Sequence, residues 1–181
     1  NPQMLRFTSR SLLASARSVS RTALRTAPVA FQQQRFMSSM DGTKTLQNLK
    51  DAFAGECMAH ARYQFFAQRA DVEGYVDQAI IFRSLAESEL NHAMGHLEFL
   101  MESGDPVTHQ PMGNTRENLA SAQVGEHHDS TEMYVQMAAT ARTEGLEEAA
   151  DWFDTLASAE ATHLKVVQRS QLDMDDLDAA V

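Results

Sequence analysis

The sequence has 181 residues, of which 43% are apolar, and a formal charge of −10. This length suffices for one hydrophobic core of ordinary size. The acidic balance disfavours binding to nucleic acid or to an anionic membrane surface, because like charges repel. No apolar run approaches the length of a membrane span, and the single cysteine, Cys57, excludes an internal disulfide and a cysteine-based metal site.

Residues 1–40 differ in composition from the rest of the chain. Between residues 4 and 40 there are six arginines, many serines and alanines, and neither an acidic residue nor a lysine. This composition is typical of a mitochondrial transit peptide, and the interleaved leucines favour it over a basic arm that binds nucleic acid. RFMSS resembles a mitochondrial processing site, which predicts a mature matrix protein beginning near Ser38. Without the six arginines, 9 basic residues face 25 acidic ones, a formal charge of −16.

Four long stretches with helical periodicity follow, and strand-like alternation is almost absent. Gly74 and Gly145 mark short turns within the first and second pair of helices. Asn114 followed by Glu117 predicts a capped start for the third helix. The helices are predicted over residues 45–70, 75–102, 115–142 and 147–169. Helices this long usually belong to bundles.

The segment ESGDPVTHQPMG separates the two pairs, and Gly104, Pro106 and Pro111 forbid a continuous helix there. We expect one helical domain over residues 41–170 and an acidic, frayed tail over residues 171–181. Fully extended, a linker of about eleven residues reaches about 40 Å, roughly the length of a 27-residue helix. If the linker falls short, the hairpins could pair between two chains as a swapped dimer.

The two halves are copies of one helical hairpin. FRSLAESELNH (82–92) and FDTLASAEATH (153–163) share the pattern F-x-x-L-A-x-x-E-x-x-H at an offset of 71, whereas the two Gly-Glu pairs before them lie 70 apart. One extra residue therefore lies between Glu126 and Tyr134, and a π-bulge would absorb it. Hairpins packed about an approximate two-fold axis predict an all-α, antiparallel four-helix bundle.

Carboxylates lie on the inward face of every predicted helix, and two of them precede a histidine. The set is Glu56, Glu89, His92, Glu126, Asp129, Glu160 and His163. Two imidazoles cannot offset five buried carboxylates, whereas two metal cations can. Oxygen-rich sites with one imidazole per metal suit iron, or manganese as the alternative, better than zinc or calcium. The pattern matches the known di-iron or di-manganese carboxylate bundle, and its duplication argues against a coincidental polar core.

At these residues the chain resembles the rubrerythrins, from about Thr43 to Arg169, with GEHH…TEMY the most specific segment. The resemblance implies a ferritin-like di-iron protein that reduces hydrogen peroxide to water. It implies that Glu89 and Glu160 bridge the irons. It implies that Glu56 serves one iron, with His92 and Asp129 competing for that iron as the redox state changes. It also implies that Glu126 and His163 serve the other iron and that Tyr63 and Tyr134 lie beside the metals.

The chain departs from the usual family pattern at several points. Glutamate is usual where this chain has Asp129, whose shorter side chain limits its reach, and Glu132 is a substitute only if the π-bulge turns it inward. His60 lies one turn from Glu56 and is interpreted as a histidine near the metals or a channel. The less favoured alternative is that His60 is itself an added metal ligand. Paired CxxC motifs of a rubredoxin domain are absent from the sequence, so electrons are expected from a separate protein or reductant.

These observations predict a mitochondrial di-iron peroxidase that acts as a homodimer, with domain swapping as one form of that dimer. A ferroxidase or iron-handling protein that uses oxygen is an alternative. A non-catalytic bundle stabilised by metal is another. The sequence leaves open the electron donor, the native metal and the preference between peroxide and oxygen.

Overall fold

The computed structural model describes residues 40–179. The predicted transit peptide, except for its last residue, and the predicted processing site lie outside these residues. The described chain is helical, with no strand between residues 40 and 179. Over the same residues, no helix carries an apolar run able to cross a bilayer.

All four predicted helices are present. Helix α1 spans Lys44–Glu73 and α2 spans Val76–Leu100, followed by a short 3₁₀ turn at Met101–Ser103. The third helix begins as α3 (Thr115–His128), passes through a π-helical turn (Asp129–Met133) and continues as α4 (Tyr134–Thr143). Helix α5 spans Glu147–Ala179. The π-helical turn lies where the change in repeat offset predicted a π-bulge, so that prediction is confirmed.

Local capping explains where these helices begin and end. The Thr43 side chain accepts a hydrogen bond from the Leu46 N–H at 3.2 Å at the start of α1. Asn114 and Glu117 form the predicted capping box at the start of α3. Gly74 ends α1 with a φ of 86°, a left-handed conformation that glycine adopts without steric cost.

Helices α1 and α2 form hairpin 1, and helices α3 to α5 form hairpin 2; within each hairpin the helices meet through small side chains. The buried apolar residues of the described chain are eight alanines and Leu100. Three of the alanines recur at the repeat offset, as the pairs Ala67 and Ala138, Ala70 and Ala141, and Ala79 and Ala150. Small side chains allow the helices to approach closely. Many large apolar side chains therefore lie outside these contacts.

Aromatic packing is repeated in the two hairpins. The rings of Tyr63 and Phe82 lie 6.4 Å apart, between centroids, at an angle of 28°. The equivalent rings of Tyr134 and Phe153 lie 6.2 Å apart at 26°. The internal repeat therefore extends from the sequence to the orientation of side chains.

An ion pair near the turn of each hairpin is also repeated, but with its charges exchanged. In hairpin 1, the Arg83 guanidinium donates to Asp71 at 2.8 Å. The equivalent positions in hairpin 2 hold Arg142 and Asp154, which also pair. These side chains are exposed, so water screens their attraction and the pairs contribute little to stability.

Asp105 organises the linker between the hairpins. Its carboxylate accepts hydrogen bonds from the N–H groups of Val107 at 2.8 Å and Thr108 at 3.0 Å, and from the hydroxyl of Ser121 in α3 at 2.8 Å. Burial raises the pKa of Asp105, but these hydrogen bonds outweigh the burial and hold its pKa below the ordinary value. The Asp105 N–H donates to the Gln110 carbonyl at 2.8 Å. The linker is therefore a compact turn docked on α3, not an extended strap.

Both ends of the linker are also fixed, one by its backbone conformation and the other by a hydrogen bond to a side chain. Gly104 has a φ of 87°, and a Cβ there would lie 2.8 Å from the carbonyl oxygen of Gln110. At the other end, the Gly113 N–H donates to the Asn118 side chain at 2.9 Å. A side chain at residue 104 would force this turn apart.

The predicted all-α class is confirmed for residues 40–179, which form two homologous helical hairpins. Within one chain, however, the hairpins do not pack on each other. Among residues 40–179, no Cα atom of a helix in hairpin 1 lies within 8 Å of a helix in hairpin 2. The compact linker is the physical reason, because it does not carry hairpin 2 back along α2.

The end of the chain differs from the prediction. A frayed tail was expected over residues 171–181, but α5 continues to Ala179. Arg116 at the start of α3 pairs with Asp175 at 2.6 Å and with Asp178, and it donates to the Met174 carbonyl at 3.2 Å. The prediction was wrong because the cation that neutralises these acidic residues lies more than fifty residues away in the sequence.

Candidate metal centre

Hairpin 1 brings together Glu56 from α1 with Glu89 and His92 from α2. Glu89 and His92 share a face of α2 because residues three apart on a helix are neighbours. The Nδ1 atom of His92 lies 2.9 Å from Glu89 Oε2 and 3.8 Å from Glu56 Oε1. One ligand atom from each residue falls within 4.8 Å of the others. These three residues are the first triad.

Hairpin 2 repeats this arrangement with Glu126 from α3 and with Glu160 and His163 from α5. The Nδ1 atom of His163 lies 2.6 Å from Glu160 Oε2 and 3.5 Å from Glu126 Oε2. Their ligand atoms also lie within 4.8 Å of one another. These residues are the second triad. The structure thus brings together six of the seven predicted ligands, as two separate groups of three.

Each triad is open on one side. The side chains of Glu89 and Glu160 are 19% and 17% exposed, whereas those of His92 and His163 are 56% and 59% exposed. The bridging carboxylates predicted from the family resemblance are therefore the most enclosed groups of each triad. The imidazoles line the open side.

Glu126 has the most strained electrostatic environment of the six. Burial raises its pKa, the neighbouring Glu160 carboxylate raises it further, and a positive charge on His163 would oppose both effects. Its Oε2 atom is buried and has no hydrogen-bond partner. A buried carboxylate oxygen in this state calls for a proton or a cation.

The residues present fit the predicted metal. Each triad offers two carboxylates and one imidazole, a hard, oxygen-rich donor set that suits iron or manganese. A bound cation would satisfy the buried Oε2 atom of Glu126 and separate the charges of Glu126 and Glu160. No thiolate takes part, because Cys57 does not belong to either triad.

Asp129 and Glu132 are not brought into the second triad. Asp129 is the first residue of the π-helical turn and is half-buried, and its negative charge contributes to the raised pKa of Glu126. Glu132 is exposed, with its Oε2 atom 3.5 Å from His128 Nδ1. The π-helical turn does not rotate Glu132 inward, so its role as a substitute ligand has no support here.

His60 joins the two helices of hairpin 1. Its Nδ1 atom lies 2.8 Å from the carbonyl oxygen of Ala86, the distance of a hydrogen bond from the ring N–H. This contact assigns the proton to Nδ1 and holds α1 against α2 near the first triad. His60 is outside the triad, in agreement with the interpretation favoured from the sequence.

Sequence reasoning missed one residue that shapes the site. Asp105 holds the linker compact and thereby sets where hairpin 2 lies. A signal was present, because Asp-Pro favours the start of a turn and an aspartate at that position can accept hydrogen bonds from backbone N–H groups further along the chain.

These features define a class of protein: a helical protein of two homologous hairpins, each carrying a carboxylate–histidine triad suited to iron. The family model for rubrerythrin matches residues 47–170. The chain is 42% identical over 134 residues to rubrerythrin of Nitratidesulfovibrio vulgaris, covering 71% of this chain and 70% of that protein. It is 39% identical over 140 residues to rubrerythrin-1 of Clostridium acetobutylicum, covering 71% and 70%.

The chain belongs to the rubrerythrin family, as its motifs predicted. Among solved structures, nigerythrin in its fully reduced, all-ferrous state matches with 30% identity and a TM-score of 0.36, over 78% of this chain and 72% of that one. Family membership and the donor set of the two triads together confirm the predicted di-iron cofactor.

Proposed function

We propose that this protein is a non-haem di-iron peroxidase that reduces hydrogen peroxide to water in defence against oxidative stress. The observation that carries the proposal is the duplicated triad in a member of the rubrerythrin family. Two carboxylate–histidine groups provide the ligands for two metal ions. Two ferrous ions that each give up one electron would together supply the two electrons that reduce one peroxide.

The proposed centre uses both triads. Glu89 and Glu160 would hold both irons, Glu56 and His92 would hold one of them, and Glu126 and His163 would hold the other. Bound ferrous iron would supply the two electrons that cleave the O–O bond of peroxide. The carboxylates hold the irons and offset their charge, and hard oxygen ligands favour the ferric product. Asp129 is proposed as an additional ligand, although its side chain is shorter than that of glutamate and reaches less far.

Protons are also needed, because reduction of one peroxide to two waters consumes two protons as well as two electrons. Tyr63 and Tyr134 are proposed to lie beside the metals and to donate hydrogen bonds to the substrate. Each phenol ring is held in place by a stacked phenylalanine, which limits the movement of its hydroxyl.

Electrons are proposed to come from a separate protein or reductant. Cys57 is the single cysteine of the sequence and is half-buried. We further propose that the protein is a homodimer. We also propose a location in the mitochondrial matrix, on the strength of the arginine-rich residues 4–40. Fusion of residues 1–40 to a fluorescent protein tests the location, and signal that remains in the cytosol would contradict it.

The activity is tested by mixing the reduced protein anaerobically with one equivalent of peroxide, and separately with oxygen. Peroxidase activity predicts that peroxide oxidises the centre faster than oxygen does, without release of hydroxyl radical. Glu89→Ala should abolish the reaction and the iron content while helical content remains. Glu87→Ala is the matched control, because Glu87 is exposed on the same helix outside the triad.

Two results would contradict the peroxidase proposal. Faster reaction with oxygen, together with accumulation of ferric iron in a hollow assembly, would indicate a ferroxidase. Retention of full activity in Glu89→Ala would show that the triad is not the reaction centre.

A further inference from the structure

The two triads face open surfaces in the described chain. On α2, Ile81 and Leu85 lie 11 and 7 residues before His92, on the same face, and are 56% and 42% exposed. On α5, Trp152 lies 11 residues before His163 and is 59% exposed. We call these two surfaces the open faces. On α2 these side chains form an apolar stripe that ends at the triad imidazole, and on α5 one large exposed aromatic side chain lies on the face of the triad imidazole.

Within residues 40–179, no part of the chain covers these open faces. The helices within a hairpin meet through alanines, and the described residues bury Leu100 as their only large apolar side chain. A chain of this length ordinarily buries a substantial core of large side chains. Exposed apolar surface on this scale marks a protein interface. The core is therefore completed by another hairpin.

The linker decides which hairpin that is. Helix α2 has 25 residues, a length of about 37 Å. To fold back along it, the segment between Ser103 and Thr115 would have to be almost fully extended. Instead, Asp105 ties that segment to Thr108 and to Ser121, which is buried. Closing the hairpins within one chain would break these hydrogen bonds, whereas pairing with a second copy would keep them.

We propose that two copies of this chain exchange hairpins, so that each metal centre combines the first triad of one copy with the second triad of the other. The inference rests on the proposed function, because a centre that uses both triads needs a hairpin of each kind. A reciprocal exchange about a two-fold axis produces two such centres and covers all open faces. The partner of the site is therefore a second copy of the chain.

The proposal predicts complementation between two inactive variants. Glu89→Ala removes a carboxylate from the first triad, and Glu160→Ala removes one from the second. In a mixed dimer with exchanged hairpins, one centre carries both substitutions and the other carries none. The two variants are co-expressed with different affinity tags, the mixed dimer is purified over both, and its iron is measured by metal analysis and by the absorption of the oxidised centre.

The mixed dimer should contain half of the wild-type iron, while each parent dimer contains almost none. If the hairpins close within one chain, or if like hairpins pair, every centre in the mixed dimer lacks one carboxylate. Iron at the parental level would therefore overturn the proposal, as would a monomer in light scattering of the wild type.

Folding and function are tested separately from the exchange. Circular dichroism verifies the helical content. If an alanine variant unfolds, the test is repeated with Glu89→Gln and Glu160→Gln, which retain the shape of the side chain. Glu87→Ala mixed with Glu148→Ala, two exposed acidic residues outside the triads, should retain all of the iron. A mixed dimer with half the iron but no turnover of peroxide would support the exchange and oppose the peroxidase, whereas a wild type that turns over peroxide, together with a mixed dimer that holds only the parental level of iron, would do the reverse.

Discussion

Glu126→Gln should stabilise the metal-free protein. The buried Oε2 atom of Glu126 has no hydrogen-bond partner, and the Glu160 carboxylate lies next to it. Leaving a buried polar atom unpaired costs about 1–3 kcal/mol. The side chain is 26% exposed, so the lower end of that range applies. An amide at this position donates a hydrogen bond to Glu160 and carries no charge. We expect a gain of about 1 kcal/mol, a factor of about five in the unfolding equilibrium.

The gain should depend on pH in a defined direction. Because the folded pKa of Glu126 is raised, its ionisation destabilises the folded, metal-free state at pH values above that pKa. As the pH falls through the raised pKa towards the ordinary value of 4.5, the wild type recovers this stability and the advantage of Glu126→Gln disappears. The difference between the two proteins should thus be largest near neutral pH.

Urea unfolding of the metal-free proteins, followed by circular dichroism at equal protein concentration, measures this effect. Glu132→Gln is the matched control, because Glu132 is exposed and lies outside the triad. It should change stability little. Iron should reverse the order, since the wild type gains stability from the metal and Glu126→Gln gains less. If Glu126→Gln lowers the stability of the metal-free protein at neutral pH, the electrostatic argument for this site is incorrect.

Three further changes test the linker and the helix contacts. Insertion of about ten Gly/Ser residues between Val107 and Thr108 should convert the dimer to an iron-binding monomer in light scattering; a dimer that persists would contradict the role of linker length. Asp105→Asn should lower the stability at neutral pH in urea unfolding, because the ionised carboxylate accepts the stabilising hydrogen bonds. The difference in stability between the wild type and this variant should vanish only as the pH falls below 3.8, through the lowered pKa of Asp105 in the folded state. Ala86→Leu, which overpacks the contact between α1 and α2, should cost about 1–3 kcal/mol in the same assay, whereas Ser84→Leu on the exposed side of α2 should cost little.

The placement of the two triads explains why so much of the site was predictable from the sequence. Glu89 and His92 lie within one helical turn, so their shared face follows from helix geometry alone. The second triad then follows from the repeat. The π-helical turn follows from the same comparison, because one residue too many in a continuous helix has few other places to go.

The sequence by itself determined the helices, their caps, the repeat and the donor atoms of each triad, because these depend on residues a few positions apart. The tertiary structure decided the contacts between residues that are distant in the sequence and the path of the linker. Arg116 orders an acidic segment that is distant in sequence, and Glu132 turns to His128 and away from the triad. Asp105 holds the linker too compact for the hairpins to close on each other. The path of a linker depends on which hydrogen bonds form across the fold, and no periodic pattern in the sequence encodes that choice.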